Sequence, residues 1–295
     1  MKKSAADVYL YEKSQEYYIP RVAAVHDICG YGNCSLTVAI PVLACAGIDV
    51  CPVPTAIFSS HTLYKEYTMR DTTEDLPAFI NSWQNIGVDI DAIYSGFLGS
   101  KDQIDIIIEL NKRYPRTRMF IDPVMADNGK MYPTYNQELC DEMKRLAEHA
   151  DLLTPNLTEA AFLTGLPYPG QSPNQEQIDE LIEALLKMGS KYVVLKGITD
   201  DAGQITNVIA GHDIKTSSIT GPLYPIALHG TGDLFASAIT AIIMSGKSLE
   251  EAVAFATEFV YHAIEISVHQ PDYKMRGVSF EPLLSGISEF IHRPN

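Results

Sequence analysis

From Val22 onward, short β-branched runs alternate with longer segments of helical period. Strands that pair in parallel must be joined by a crossover of a dozen or more residues, usually a helix, so this alternation specifies βαβ units and a mainly parallel sheet. Strands are expected at Val22–His26, Ala92–Ser95, Met119–Asp122, Leu152–Thr154 and Tyr192–Lys196. Helices are expected at Leu36–Cys45, Leu76–Ile86, Gln103–Tyr114, Gln137–His149, Leu157–Thr164 and Gln177–Met188, then at Thr231–Ser245, Leu249–Ser267 and Glu281–Ile291. The clearest is Leu249–Ser267, whose apolar residues form one stripe opened by the capping box Ser248-x-x-Glu251.

The chain has 295 residues, 46% of them hydrophobic, which excludes a disordered or fibrous chain and suffices for one large α/β domain. No stretch reads as an interdomain linker, and Gly165–Asn174 reads as a surface loop. Residues 21–295 are therefore taken as one domain, and the charged, tyrosine-rich residues 1–20 as an N-terminal extension without a signal-peptide core. The longest nearly apolar stretch, Val38–Ile48, contains Pro41 and Gly47 and falls far short of the roughly 20 residues that span a bilayer. Five cysteines without a paired framework fit a reducing cytoplasm. A formal charge of −15 argues against a nucleic-acid or anionic-membrane partner, and any anion must be held by local positive potential.

In an open parallel sheet, ligands bind beyond the carboxyl ends of the strands, so polar residues there are the first candidates for chemistry. His229-Gly230-Thr231-Gly232-Asp233 precedes a small-residue helix. Glycines at such a helix start let consecutive N–H groups converge on an anion, and Asp233, expected to be ionised at neutral pH, could take a proton from a substrate hydroxyl. The pentapeptide alone fits an ordinary helix N-terminus equally well. Thr154-Pro155-Asn156-Leu157-Thr158-Glu159 reads, taken alone, as a capping box, and Asp122-Pro123 as a loop carboxylate. Carboxylates gathered beside an anion hole can instead hold Mg²⁺, directly or through water. Three weaker patterns are set aside. Gly30-Tyr31-Gly32 lacks the third glycine of a dinucleotide fingerprint, and Gly246-Lys247-Ser248 joins two helices. His26, Cys29 and Cys34 match no zinc spacing.

Together, the segment His229–Ser237, the NLTEA run, Asp122-Pro123-Val124, Phe58-Ser59-Ser60-His61-Thr62 and Ser95-Gly96-Phe97 resemble the signatures of pyridoxal kinases in the ribokinase-like superfamily. The resemblance implies an α/β three-layer fold and ATP-dependent phosphorylation of the 5′-hydroxymethyl group of pyridoxal, pyridoxine or pyridoxamine. It implies Asp233 as base, with the Gly230, Thr231 and Gly232 backbone stabilising the transferring phosphoryl group. Thr154, Asn156, Glu159 and Lys196 match the ATP side, although Lys196 also reads as a solvated lysine. Asp122, Asp127 and Glu159 match positions that arrange Mg²⁺ and a monovalent cation such as K⁺. Asp27, Ser59, His61, Thr62, Phe97 and Tyr132 match the substrate side, with Asp27 and His61 as candidates to read the pyridine's polar atoms and Phe97 to cover the ring. A homodimer is implied as well. Within the superfamily the rival is a hydroxymethylpyrimidine kinase; outside it, a catalytically silent binding or regulatory protein on the same scaffold.

Overall fold

A computed structural model describes residues 2–293; residues 1, 294 and 295, at the outer ends of the two segments read from the sequence, lie outside the described residues. In chain order the strands are β1 (Arg21–Cys29), β2 (Asp49–Phe58), β3 (Met69–Asp71), β4 (Ala92–Ser95), β5 (Arg118–Ile121), β6 (Ala126–Asp127), β7 (Lys130–Met131), β8 (Leu152–Leu153), β9 (Tyr192–Thr199), β10 (Gln204–Gly211) and β11 (Ser217–Pro222). The helices are α1 (Leu36–Cys45), α2 (Leu76–Asn85), α3 (Lys101–Arg113), α4 (Gln137–Ala147), α5 (Leu157–Thr164), α6 (Gln175–Lys187), α7 (Thr231–Met244), α8 (Leu249–Ser267), α9 (Tyr273–Arg276) and α10 (Leu284–Ile291).

Nine strands form one sheet in the order β11-β10-β9-β8-β5-β4-β1-β2-β3. The pairs from β2 to β9 are parallel, and antiparallel strands close both flanks. Side chains alternate along each central strand, and the two faces gather separate cores. Ala23, Val25, Ile93, Met119 and Ile121 pack beneath α2 to α6, whereas Val22, Tyr94, Phe120 and Val194 pack beneath α1, α7, α8 and α10. The architecture is thus the expected three layers. Helix α7 is buried from Leu234 to Met244, as a helix without a polar face must be.

The capping boxes at Ser248/Glu251 and Asn156/Glu159 both form, as their spacing predicts. Four strands absent from the sequence reading, β2, β3, β10 and β11, complete the sheet. β2 carries Pro52 and Pro54, which argue against a strand, and β10 and β11 form an antiparallel pair on the flank. The stretch before β1 packs on the second core through Ala5, Val8, Leu10 and Tyr11. Its Lys3 N–H donates to the Asp213 carbonyl, and its Val8 carbonyl accepts from Leu249 N–H at the start of α8. All five cysteines are free thiols, and no helix among the described residues is long and apolar enough to cross a membrane.

Candidate active site

Strand order reverses between β1 and β4, since β1 is joined to β2 on one side and pairs with β4 on the other. Beyond the carboxyl ends of these strands and of β5, β8 and β9 lies a cavity of about 510 Å³. Asp27 enters it from β1, Phe97 from just after β4, Asp122 from just after β5, Asn156 from just after β8 and Lys196 from β9. It runs from Phe58, His61 and Phe97 at one end to Ile205, Asn207, Leu223, Tyr224 and Tyr261 at the other. Asp233, Asp122 and Lys196 lie between.

The turn before α7 supplies two glycines with different reasons for being glycine. Gly230 has φ +83°, and a Cβ there would overlap the Asn33 carbonyl oxygen. At Gly232 the nearest heavy atom to a Cβ would be Lys196 Nζ, 3.9 Å away, so the protein itself leaves room. What the bare Cα at Gly232 admits is a ligand approaching the helix N-terminus. Gly230→Ala is accordingly expected to lower the melting temperature, with left-handed strain alone costing about 1–2 kcal/mol. Gly232→Ala should melt near the wild-type temperature yet bind phosphate ligands at least about tenfold more weakly. Equal destabilisation by the two would refute the distinction.

Behind the turn sits a buried charged cluster. Lys196 Nζ donates to Asp122 Oδ1, and Thr154 Oγ1 donates to the same oxygen at 3.0 Å, so Thr154 supports Asp122 rather than lining the cavity. Lys196 is not a solvated lysine: its side chain is 11% exposed. Burial alone would lower its pKa, but Asp122 and Glu159 beside it raise it. Asp122 Oδ2 is buried with no partner. Glu159 closes the capping box, with Oε2 accepting from Asn156 N–H at 2.8 Å, and its Oε1 accepts from Met125 N–H at 3.4 Å. One residue thus serves as helix cap and site carboxylate.

These contacts alter the ionisation expected from the sequence. Burial, with Asp122 and Asp27 adding negative charge, pushes Asp233 up to about 7, so it is not simply ionised at neutral pH. Burial likewise pushes Glu159 up to about 8 against the pull of Lys196, and Asp27 up to about 6 against the Ser35 hydroxyl. Each carboxyl holds its proton to higher pH when folded than when unfolded, so the folded state binds more protons from about pH 4 to about pH 8 and stability falls as pH rises through that window. Melting of the ligand-free protein should therefore drop across it, and a flat profile would contradict the burial of these three groups.

Among the described residues no three His, Cys, Asp or Glu side chains converge tightly enough to cage a metal ion. The unpartnered Asp122 oxygen beside Glu159 nevertheless suits a hard cation that keeps most of its ligands as phosphate and water oxygens. Asp127, on the short hairpin β6–β7 and exposed, points to the same cavity while accepting from Asn128 N–H at 2.9 Å.

At the opposite end, Asp27 is 6% exposed, and its Oδ1 accepts from Ser35 Oγ at 2.5 Å. Ser35 adopts φ +51°, and its backbone N–H favours the charged form of Asp233. His61 bonds through both ring nitrogens, Nε2 to the Met275 carbonyl and Nδ1 to Leu63 N–H, so it offers a ligand its ring face. Its other face lies against His229, the rings tilted by 33° with centroids 4.4 Å apart. Phe97 packs edge-on against Phe58 and Tyr135, while Thr62 and Tyr132 line the mouth. Ser59 does not line the cavity: its hydroxyl accepts from Thr68 N–H at 2.8 Å in the turn beyond β2. Sequence reasoning missed the far end, where Tyr224 and Tyr261 pair at 5.8 Å and Asn207 Nδ2 donates to Thr257 Oγ1 at 3.0 Å. Only recognition of β10 and β11 could have brought these residues together.

A parallel sheet with this strand order, flanked on both faces by helices and carrying a glycine turn and aspartate at the α7 N-terminus, is the ribokinase-like fold. Residues 44–277 match the phosphomethylpyrimidine kinase family model. The pyridoxal kinase PdxY of Histophilus somni is 30% identical over 267 residues, covering 86% of this chain and 91% of the relative. The chain belongs to the pyridoxal kinase family. Among solved structures, a Bacteroides thetaiotaomicron protein described as a phosphomethylpyrimidine kinase and crystallised with pyridoxal superposes with a TM-score of 0.86 at 34% identity, covering 92% of this chain and 96% of that one. The pyridoxal kinase of Lactobacillus plantarum gives 0.84 at 27% identity, over 92% and 97%.

Proposed function

We propose that this protein phosphorylates B6 vitamers, transferring the γ-phosphoryl group of ATP to the 5′-hydroxymethyl oxygen of pyridoxal, pyridoxine or pyridoxamine. The observation that carries this reading is one continuous cavity with Asp233 and the Gly230–Gly232 turn between an aromatic end near Phe97 and a second end near Tyr224 and Tyr261. The pyridoxal bound to the Bacteroides relative supports it. Asp233 receives the hydroxyl proton as the new oxygen–phosphorus bond forms, and the bond to the β-phosphate oxygen breaks to release ADP. The α7 N-terminus and its glycine N–H groups face the charge on the transferring group, and Lys196 neutralises charge beside it. Asp122, Asp127 and Glu159 would hold Mg²⁺, which would supply charge neutralisation on the phosphates.

The family model's own description favours hydroxymethylpyrimidine as a second substrate to consider. A coupled assay of ADP release, run over the three vitamers and hydroxymethylpyrimidine with and without Mg²⁺ and K⁺, tests both readings. The B6 reading predicts the highest kcat/KM on a vitamer and dependence on Mg²⁺. Preference for hydroxymethylpyrimidine would replace it, and no vitamer-dependent turnover would favour a silent binding protein.

A further inference from the structure

The vitamer end of the cavity carries a negative charge with no positive one to match it. Among the described residues lining the whole cavity there are five carboxylates, and Lys196 is the single Lys or Arg. That ammonium is committed to Asp122 and the neighbouring Glu159. Asp27 stands at the other end, almost wholly buried, with the Ser35 hydroxyl as its side-chain partner. The histidines there do not supply the charge, because both are depressed by burial, His229 to about 4. A buried carboxylate without a counter-ion is costly, and a ligand that brings one recovers that cost on binding.

Ser35 fixes where such a ligand charge must lie. Its hydroxyl donates to Asp27 and its backbone N–H faces Asp233, so one residue spaces the two carboxylates. On a B6 ring, the hydroxymethyl group at C5 has the C4 substituent on one side and a bare C–H on the other. With the hydroxyl on Asp233, the ring orientation that gives Asp27 a polar neighbour places the C4 substituent beside it. That substituent is an aldehyde in pyridoxal, an alcohol in pyridoxine and an ammonium in pyridoxamine.

Building on the proposed vitamer kinase activity, we infer that Asp27 makes the site selective for pyridoxamine by pairing with its 4′-ammonium. Pyridoxine follows, since its alcohol can donate to the carboxylate, and free pyridoxal, whose aldehyde cannot, comes last. Hydroxymethylpyrimidine also carries an amino group beside its hydroxymethyl group, but an uncharged one, so it separates charge from simple hydrogen-bond donation.

The test is kcat/KM for all four compounds on the wild-type protein and on Asp27→Asn, which keeps an acceptor for Ser35. Wild type should favour pyridoxamine over pyridoxine by about tenfold or more, and the variant should bring that ratio close to one. Equal use of pyridoxine or hydroxymethylpyrimidine by the wild type, or a ratio that survives in the variant, overturns the inference while leaving the kinase reading intact. If no compound is phosphorylated, the kinase reading fails separately. Calorimetric dissociation constants of pyridoxamine and pyridoxine on the wild type then decide the inference without depending on turnover or on the folding of the variant: tighter pyridoxamine supports it and equal affinity overturns it.

Discussion

Replacing Asp233 by asparagine is expected to lower kcat for vitamer phosphorylation by about 10²- to 10⁴-fold, the range a positioned general base supplies. Asparagine fills the same space but cannot take the hydroxyl proton. The same change removes one of several negative charges that face each other in the dry interior, where Asp122 and Asp27 already oppose ionisation of Asp233. The variant should therefore melt higher than wild type at pH 8 while turning over far more slowly, a trade of stability against activity. Single-turnover quench experiments and melting curves at pH 8 measure the two arms. Near-normal turnover would remove Asp233 from its role, and a lower melting temperature would contradict the charge crowding.

Lys196→Met should be the most destabilising single change in the cluster. Breaking a buried ion pair by deleting one partner costs about 3–5 kcal/mol, because the remaining charge is left desolvated and uncompensated. Here two carboxylates lose their common cation, Asp122 through a direct bond and Glu159 through proximity. The KM for ATP should rise more than that for the vitamer, since Lys196 Nζ lies beside Gly232 at the helix N-terminus. The double variant Lys196→Met/Asp122→Asn should recover much of the lost stability. Additive effects in this cycle, measured by chemical denaturation, would show that the two groups are not coupled.

Helices α3, α4, α6 and α8 were legible because each combines a 3.6-residue apolar period with a local side-chain cap, as Ser248 and Glu251 show for α8. The flanking strands were not. Pro52 and Pro54 disguise β2, and half-exposed β11 has the polar composition of a loop. At the site, the glycine turn was legible because its residues are contiguous and their spacing has a mechanical meaning. The ionisation of Asp233 was not, since it depends first on burial and then on Asp122 and Asp27, which only the fold brings near. His61 shows the same limit. Its position at the cavity matched the motif, but the loss of Nε2 to the Met275 carbonyl depends on a C-terminal segment far along the chain.

Residues 3–11 have a further consequence for how the molecule is made. The long-range backbone partners of Lys3 and Val8 are the Asp213 carbonyl, the Lys215 N–H and the Leu249 N–H, all beyond residue 200, and the turn at Ala5–Asp7 packs on α8. During synthesis this segment therefore waits for partners that are translated more than 200 residues after it. Closing so long a loop is slow, and exposed apolar residues such as Val8 and Leu10 are open to other contacts in the meantime. This segment is thus among the last to be fixed, and its seam is a place where a growing chain is exposed to misassembly.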